Sequence, residues 1–357
     1  MRFLLICSLL LSFTLSTFAQ QAVDADAAQA FLDEAINNGQ CIGIAAGILK
    51  GDDILWSGKT GMADLEKSIP YTAQTVGRTA SIAKPMTALA ILQLVEQGKL
   101  NLDDKVAVHL PEFKGGAKEA ITVRHVLQHS AGFRGYGNNK ERNNVVEYPT
   151  FSAAMQIFIN DDLLFTPGKG YSYTTFGYTV LGALIEKASG TSYEDYLRTH
   201  VWEPAGMVNT SVERFGAPTP GRANIYHQKK PGKIKAVEFA NHSDRIPGGG
   251  VQSTVEDLLH FGHAVMNNTL LSAESLAVMI ADSGLKTEDN GYGMGWYIYA
   301  DNSEVFGHNG EQLGCSAFLL LAPKRNIVIA VMSNTSGAKK EVGKVMNGVF
   351  GEALKVK

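Results

Sequence analysis

The chain has 357 residues, 45% of them hydrophobic, with 32 Lys+Arg against 35 Asp+Glu and three cysteines. A net charge of −3 and no basic run longer than two residues argue against a nucleic-acid partner, and three cysteines are too few for a disulfide framework. The length leaves room for two packed regions in one body.

Met1-Arg2 is followed by an apolar run over residues 3–18, then Ala19 and the polar pair Gln20-Gln21. One positive charge, a short apolar stretch and a small residue at its end describe a secretory signal peptide over residues 1–19, cleaved after Ala19. The alternative is an uncleaved anchor, although the run is slightly short for a full span. Without Arg2 the mature chain carries 31 basic and 35 acidic side chains, a net of −4. It is expected to be exported, periplasmic or secreted, with no stable membrane span. Export permits a disulfide between Cys41 and Cys315. Both nevertheless read as buried, small apolar residues near strand starts.

A helical pattern over 23–38 is followed by β-like stretches at 42–49 and 53–57, joined by Lys50-Gly51-Asp52. The region from Ser81 to Gly249 is rich in helical periodicity: a helix from Ser81 that stops at Gly98, a short one at 123–128, others at 151–160 and 176–188. Residues 135–147 are polar and Asn-rich and predict a mobile loop. Gly248-Gly249-Gly250 reads as a hinge. Ser253-Thr254-Val255-Glu256 is a capping box for a helix reaching about Met266. Strand character returns at 293–299, 304–308, 315–321 and 327–332, and an amphipathic helix over 339–354 closes the chain. Strands at both ends with helices between predict an α+β domain over 20–357. Its sheet subdomain takes 22–78 plus 250–357, and its all-helical insertion takes 79–249.

Ser81-Ile82-Ala83-Lys84 stands at the head of the first long helix. Three residues apart on a helix, a hydroxyl and an ammonium share one face. A lysine stripped of solvent loses its proton more easily and can serve as a base for the serine. The spacing alone is weak, since average composition yields about one such match by chance. Ser283–Lys286 and Ser336–Lys339 share it but sit in polar, Gly-containing sequence. Only the first is followed by Met86, Leu89, Ile91, Leu92 and Leu94. Alone, Ser81 could be a helix cap and Lys84 a surface lysine.

Three further segments fall in order with this pair: His129-Ser130-Ala131-Gly132, the run from Pro167 to Gly177 that contains Tyr173-Thr174-Thr175, and His308-Asn309-Gly310. Together with the Gly248–Thr254 segment, their order and spacing resemble the penicillin-binding, class C β-lactamase-like serine hydrolases over nearly the whole mature chain. Within them the chain is similar in particular to the mitochondrial serine β-lactamase-like proteins and their bacterial relatives. The resemblance implies a β-lactamase/transpeptidase-like fold with an antiparallel sheet flanked by helices. It implies Ser81 as nucleophile, Lys84 as base and Tyr173 as proton shuttle, with the backbone N–H groups of Ser81 and Glu311 around the oxyanion. Tyr171 is the rival alignment for Tyr173. Asn309, Gly310 and Thr175 would border the substrate, Gly310 by letting the strand backbone approach it. Tyr173 would need a positive field to ionise, which Lys84 and a protonated His308 could supply. His308 stands where many relatives carry lysine and would be charged only part of the time near neutral pH. Thr175 stands where class C β-lactamases have asparagine, which puts β-lactam turnover in doubt.

No cofactor is implied. His125 and His129, four apart, lack a third metal ligand at suitable spacing and read as packing residues, as do His260 and His263. His308 could equally be a structural strand-end histidine. The expected activity is acyl-enzyme hydrolysis of an amide or ester in a peptide or small molecule. A β-lactamase, a carboxylesterase and a silent, peptide-binding or self-assembling scaffold are the alternatives. Selectivity is expected in residues 135–147 and 217–247, and the oligomeric state is left open.

Overall fold

The computed structural model describes residues 22–230, 232–286, 290–299 and 305–356, so the expected signal segment lies outside the described residues. The main sheet has eight antiparallel strands, three from the N-terminal part and five from the C-terminal part. They are β1 (Gly43–Lys50), β2 (Asp53–Asp64), β3 (Ile69–Pro70), β4 (Gly291–Tyr292), β5 (Tyr297–Ile298), β6 (Phe306–Gln312), β7 (Cys315–Ala322) and β8 (Ile327–Ser333). Their order across the sheet is β3-β2-β1-β8-β7-β6-β5-β4. The two halves of the chain meet where β1 pairs with β8, in a register running from Ile44↔Ser333 to Lys50↔Ile327.

Helices cover both faces, so the central strands read as continuous apolar runs. Successive side chains of β1 and β8 point to opposite sides. Ile44, Ala46, Ile48, Ile329 and Val331 join one buried cluster; Ala45, Leu49, Val328, Ala330 and Met332 join the other. The first cluster lies under the terminal helices α1 (Ala25–Asn37) and α7 (Lys339–Lys355). In α7 the apolar stripe Val342, Val345, Met346, Val349 and Ala353 repeats every three or four residues, the spacing that buries one face of a helix. The second cluster holds the core helices: α2 (Ala83–Glu96), α3 (Val123–Leu127), α4 (Phe176–Ser189), the short α5 (Ile246–Gly249) and α6 (Val255–Met266). Among the described residues no helix is long and apolar enough to cross a membrane.

Several local expectations shift. The insertion is mainly helical but carries three short strands, Ser211–Val212, Tyr226–Lys230 and Lys233–Ala236. The first shares a three-stranded sheet with Gly77–Arg78 and Val251–Ser253, the other two with Thr335–Ser336. Prolines at 218 and 220 forbid helix nearby, and the extended chain pairs with strand ends of the main body instead. The N-cap of α6 is Thr254, whose Oγ1 accepts Asp257 N–H at 3.1 Å, while Ser253 belongs to a strand. Residues 135–147 include the helical turn Asn139–Arg142, and Arg134 ties them down by donating to both Glu141 and Asp161. Cys41 and Cys315 are buried and free.

A buried ion pair joins the strand leading to Ser81 with the insertion. Arg78 donates to both carboxylate oxygens of Glu213, at 2.8 and 2.7 Å, with both side chains almost wholly out of water. Burial would raise the Glu213 carboxyl, but the His242 and Arg78 contacts win and hold it at about 2. Arg78 also donates to Leu313 O at 2.6 Å and stacks on Phe239. Removing one partner leaves a buried charge uncompensated. Arg78→Met is therefore expected to lower the unfolding free energy by about 3–5 kcal/mol, and Arg78→Met/Glu213→Met to recover most of it, both measured by urea titration.

Candidate active site

Ser81 sits in a tight turn, Ala80–Ile82, that feeds α2. Ala80 adopts φ +48°, a left-handed conformation that a side chain makes unfavourable. The turn is held from three sides. Thr79 donates its N–H and its hydroxyl to Val251 O, at 3.0 and 2.8 Å, and Cys315 Sγ donates to Arg78 O at 2.8 Å. The third support is β6: a Cβ on Gly310 would overlap Thr79 O and press on Ala80 Cβ at 3.1 Å and Ser81 N at 3.3 Å. Gly310 was expected to let the strand approach the substrate; the close approach seen in the structure is to the Thr79–Ser81 turn.

One helical turn on, Lys84 is fully buried. Its Nζ donates to Ser81 Oγ at 3.1 Å, Thr175 Oγ1 at 3.4 Å and Gly248 O at 2.7 Å. Burial, aided by the charge on Arg245, pulls this amine down to about 7. At neutral pH a large fraction is thus an unprotonated base, hydrogen-bonded to a serine.

Tyr173 places its ring 4.8 Å from Lys84 Nζ and lines the same cavity as Ser81. Tyr171 instead packs edge-on against His129 and tilted against Tyr292, which favours Tyr173 of the two alignments. Burial raises the Tyr173 phenol well above its ordinary range. The loss of water around a phenolate thus works against ionisation of Tyr173, the charge that was expected to need a positive field.

His308 also departs from expectation. It is completely buried, and burial together with the Lys84 charge holds it at about 3. It is a neutral ring at physiological pH and supplies no positive field. Its Nδ1 lies 2.6 Å from Asn309 O and its Nε2 3.3 Å from Tyr292 Oη.

Above these groups opens a cavity of about 720 Å³ lined by Ser81, Tyr173, Thr175 and Glu311, with Tyr136 and Arg245 on the facing wall. Lys84, His308, Asn309 and Gly310 do not line it. Asn309 contributes its carbonyl to His308, and Glu311 turns its carboxylate toward Ser316 and Gly337. Tyr136 was not anticipated: it lines the cavity, and its ring faces Arg245 at 4.6 Å. His129 was expected to be a packing residue; what it packs on is the Tyr173 ring, 4.4 Å away. His125 diverges from it, its Nδ1 accepting Thr122 N–H at the start of α3.

An antiparallel sheet built from both ends of the chain, with a serine and a buried lysine where helix meets sheet, defines the penicillin-binding and β-lactamase class of serine hydrolases. The chain belongs to the Beta-lactamase family, whose profile matches residues 21–345. It is 26% identical to the human mitochondrial serine beta-lactamase-like protein LACTB, the match spanning 82% of this chain and 73% of that protein. Among solved structures it resembles the octameric penicillin-binding protein homologue from Pyrococcus abyssi, 27% identical over 93% of this chain and 77% of that one, with TM-score 0.80. It also resembles a D-stereospecific amidohydrolase from Streptomyces sp., 25% identical over 90% of this chain and 98% of that one, with TM-score 0.77.

Two outcomes follow. With Lys84 expected to act as the base for Ser81, labelling of Ser81 by a fluorophosphonate should accelerate as pH rises through about 7 and slow below it. His308→Gln should leave that limb in place; a limb that moves with His308 would contradict the assignment to Lys84. Gly310→Ala should displace the nucleophile turn and slow labelling by about 100-fold, the scale of a 1 Å misplacement, with the fold retained by circular dichroism.

Proposed function

We propose that this protein is a serine acyl-hydrolase that cleaves an amide or ester bond through an acyl-enzyme on Ser81. The observation that carries this is the 3.1 Å contact between Ser81 Oγ and the amine of Lys84, buried without a carboxylate beside it, at the base of an open cavity. In the forward step Lys84 takes the Ser81 proton as Oγ bonds to the substrate carbonyl carbon. Backbone N–H groups of Ser81 and Glu311 receive the oxyanion. Tyr173 gives its phenol proton to the leaving nitrogen or oxygen as the C–N or C–O bond breaks, and the Lys84 ammonium makes that proton good. Water then adds to the acyl carbon, its proton passing to the same pair, and the ester to Ser81 breaks with return of a proton to Oγ. Thr175 and Tyr136 orient Lys84 and the substrate wall.

Likeness to a D-stereospecific amidohydrolase and to a penicillin-binding protein homologue favours a short peptide-like amide, with a small ester next. The missing asparagine at Thr175 disfavours rapid β-lactam turnover. The charged-then-apolar segment 1–19 supports export with cleavage after Ala19, leaving one domain whose sheet portion is 22–78 with 250–357 and whose insertion is 79–249.

Intact mass after fluorophosphonate treatment tests the reading. Wild type should gain one adduct, Ser81→Ala none, and Lys84→Ala should react about 100- to 10,000-fold more slowly, the usual loss for a general base. Incubation with a penicillin separates the subclasses. A lasting adduct marks a penicillin-binding peptidase, a transient one a β-lactamase, and none an amidase or esterase. A wild type that never labels would refute the hydrolase.

A further inference from the structure

Behind Tyr173 lies a chain of polar contacts that the catalytic steps above do not use. Ser172 N–H donates to His129 O at 2.9 Å, and Thr174 N–H to His129 Nδ1 at 3.3 Å. One residue thus grips the backbone on both sides of Tyr173 while its ring lies against the Tyr173 ring. His129 is itself held at φ +57°, a conformation unusual for a histidine. On its far side Nε2 meets Tyr292 Oη at 3.3 Å, and Tyr292 Oη meets His308 Nε2 at the same distance. The chain ends at Asn309 O, 2.6 Å from His308 Nδ1.

Proton counting leaves one arrangement. Asn309 O only accepts, so His308 carries its proton on Nδ1 and its Nε2 is bare. Tyr292 has a single hydroxyl proton and must give it to that nitrogen. Its oxygen then accepts from His129, which must carry N–H at Nε2. That leaves His129 Nδ1 bare, as the Thr174 N–H requires. Every donor in this chain then has an acceptor, and a second proton on His129, at Nδ1, would be set against the Thr174 N–H. All three side chains are almost wholly buried, where an unsatisfied polar atom is costly.

The geometry points to His129 and Tyr292 as positioning residues that fix the Tyr173 backbone and ring over Lys84 and lock His308 in its Nδ1–H tautomer. The functional part of this rests on the hydrolase reading; the tautomers do not. Burial and the Lys84 charge also hold both imidazoles neutral, in keeping with the single arrangement.

The test is ¹⁵N NMR of the full chain labelled at histidine, with the two rings assigned from His129→Asn and His308→Asn spectra. The expected result is His129 protonated at Nε2 and His308 at Nδ1, in wild type and in Ser81→Ala alike. Tyr292→Phe, which keeps the ring, should shift both signatures and lower kcat on an amide or ester substrate by about 10- to 100-fold, with KM within about twofold. The opposite tautomer in either ring, an imidazolium near neutral pH, or an unchanged kcat in Tyr292→Phe would overturn the proposal. Failure of the hydrolase reading looks different: the expected tautomers in a wild type whose Ser81 takes no probe.

Discussion

The site turns on an amine taken out of water with no carboxylate, among the described residues, to receive its charge. Around Lys84 Nζ stand two hydroxyl oxygens, one carbonyl and the faces of Tyr173 and Tyr178, at 4.8 and 5.4 Å from the ring centroids. The nearest formal charge that acts on it, Arg245, is of the same sign. Burying an unpaired ammonium costs several kcal/mol, and releasing the proton is the less costly outcome. The two ring faces and three oxygens soften the cost of the charged form without cancelling it. The amine is therefore held where it can both take a proton and give it up near neutral pH.

The rest of the fold serves to keep that amine dry. Twelve of the fourteen residues of α2 are buried, so the helix has no solvent face from which Lys84 could reach water. Thr87, one turn beyond, donates to Pro247 O at 2.6 Å and fixes α5, whose Gly248 carbonyl holds Lys84. Gly248 itself has no room for a side chain, since a Cβ would come within 2.5 Å of Thr175 Cγ2. The contacts that orient the amine and those that exclude water belong to the same close packing of α2, α4 and α5.

What could be read from the residues alone follows from locality. Ser81 and Lys84 sit on one turn of a helix whose apolar run is contiguous, and the central strands announce themselves by β-branched, fully apolar segments. His308 shows the limit. Its identity suggests titration near neutrality, but the burial of its place in β6 and the charge on Lys84 belong to the tertiary structure. His129 and Tyr292 are 163 positions apart, so no local spacing marks them as partners. Gly310 reads as a substrate-facing strand residue until its neighbour proves to be the Thr79–Ser81 turn. The two-residue strands carry no period at all. They exist because a partner strand lies beside them.

Backbone strain is placed where these groups are held. Ala80, immediately before Ser81, and His129, beside Tyr173, both adopt positive φ at residues with a Cβ, at a cost on the order of 1–3 kcal/mol each. Such conformations persist only when surroundings over-determine them. At Ala80 the constraint is two hydrogen bonds from Thr79 to Val251 and the absent side chain at Gly310. At His129 it is the pair of amides on either side of Tyr173. A surface loop would relax both; a buried junction of sheet and helices cannot. The burial that removes water from Lys84 is thus also what keeps Ser81 and Tyr173 from settling into easier conformations, so the reactivity of the amine and the alignment of its partners have a single physical origin.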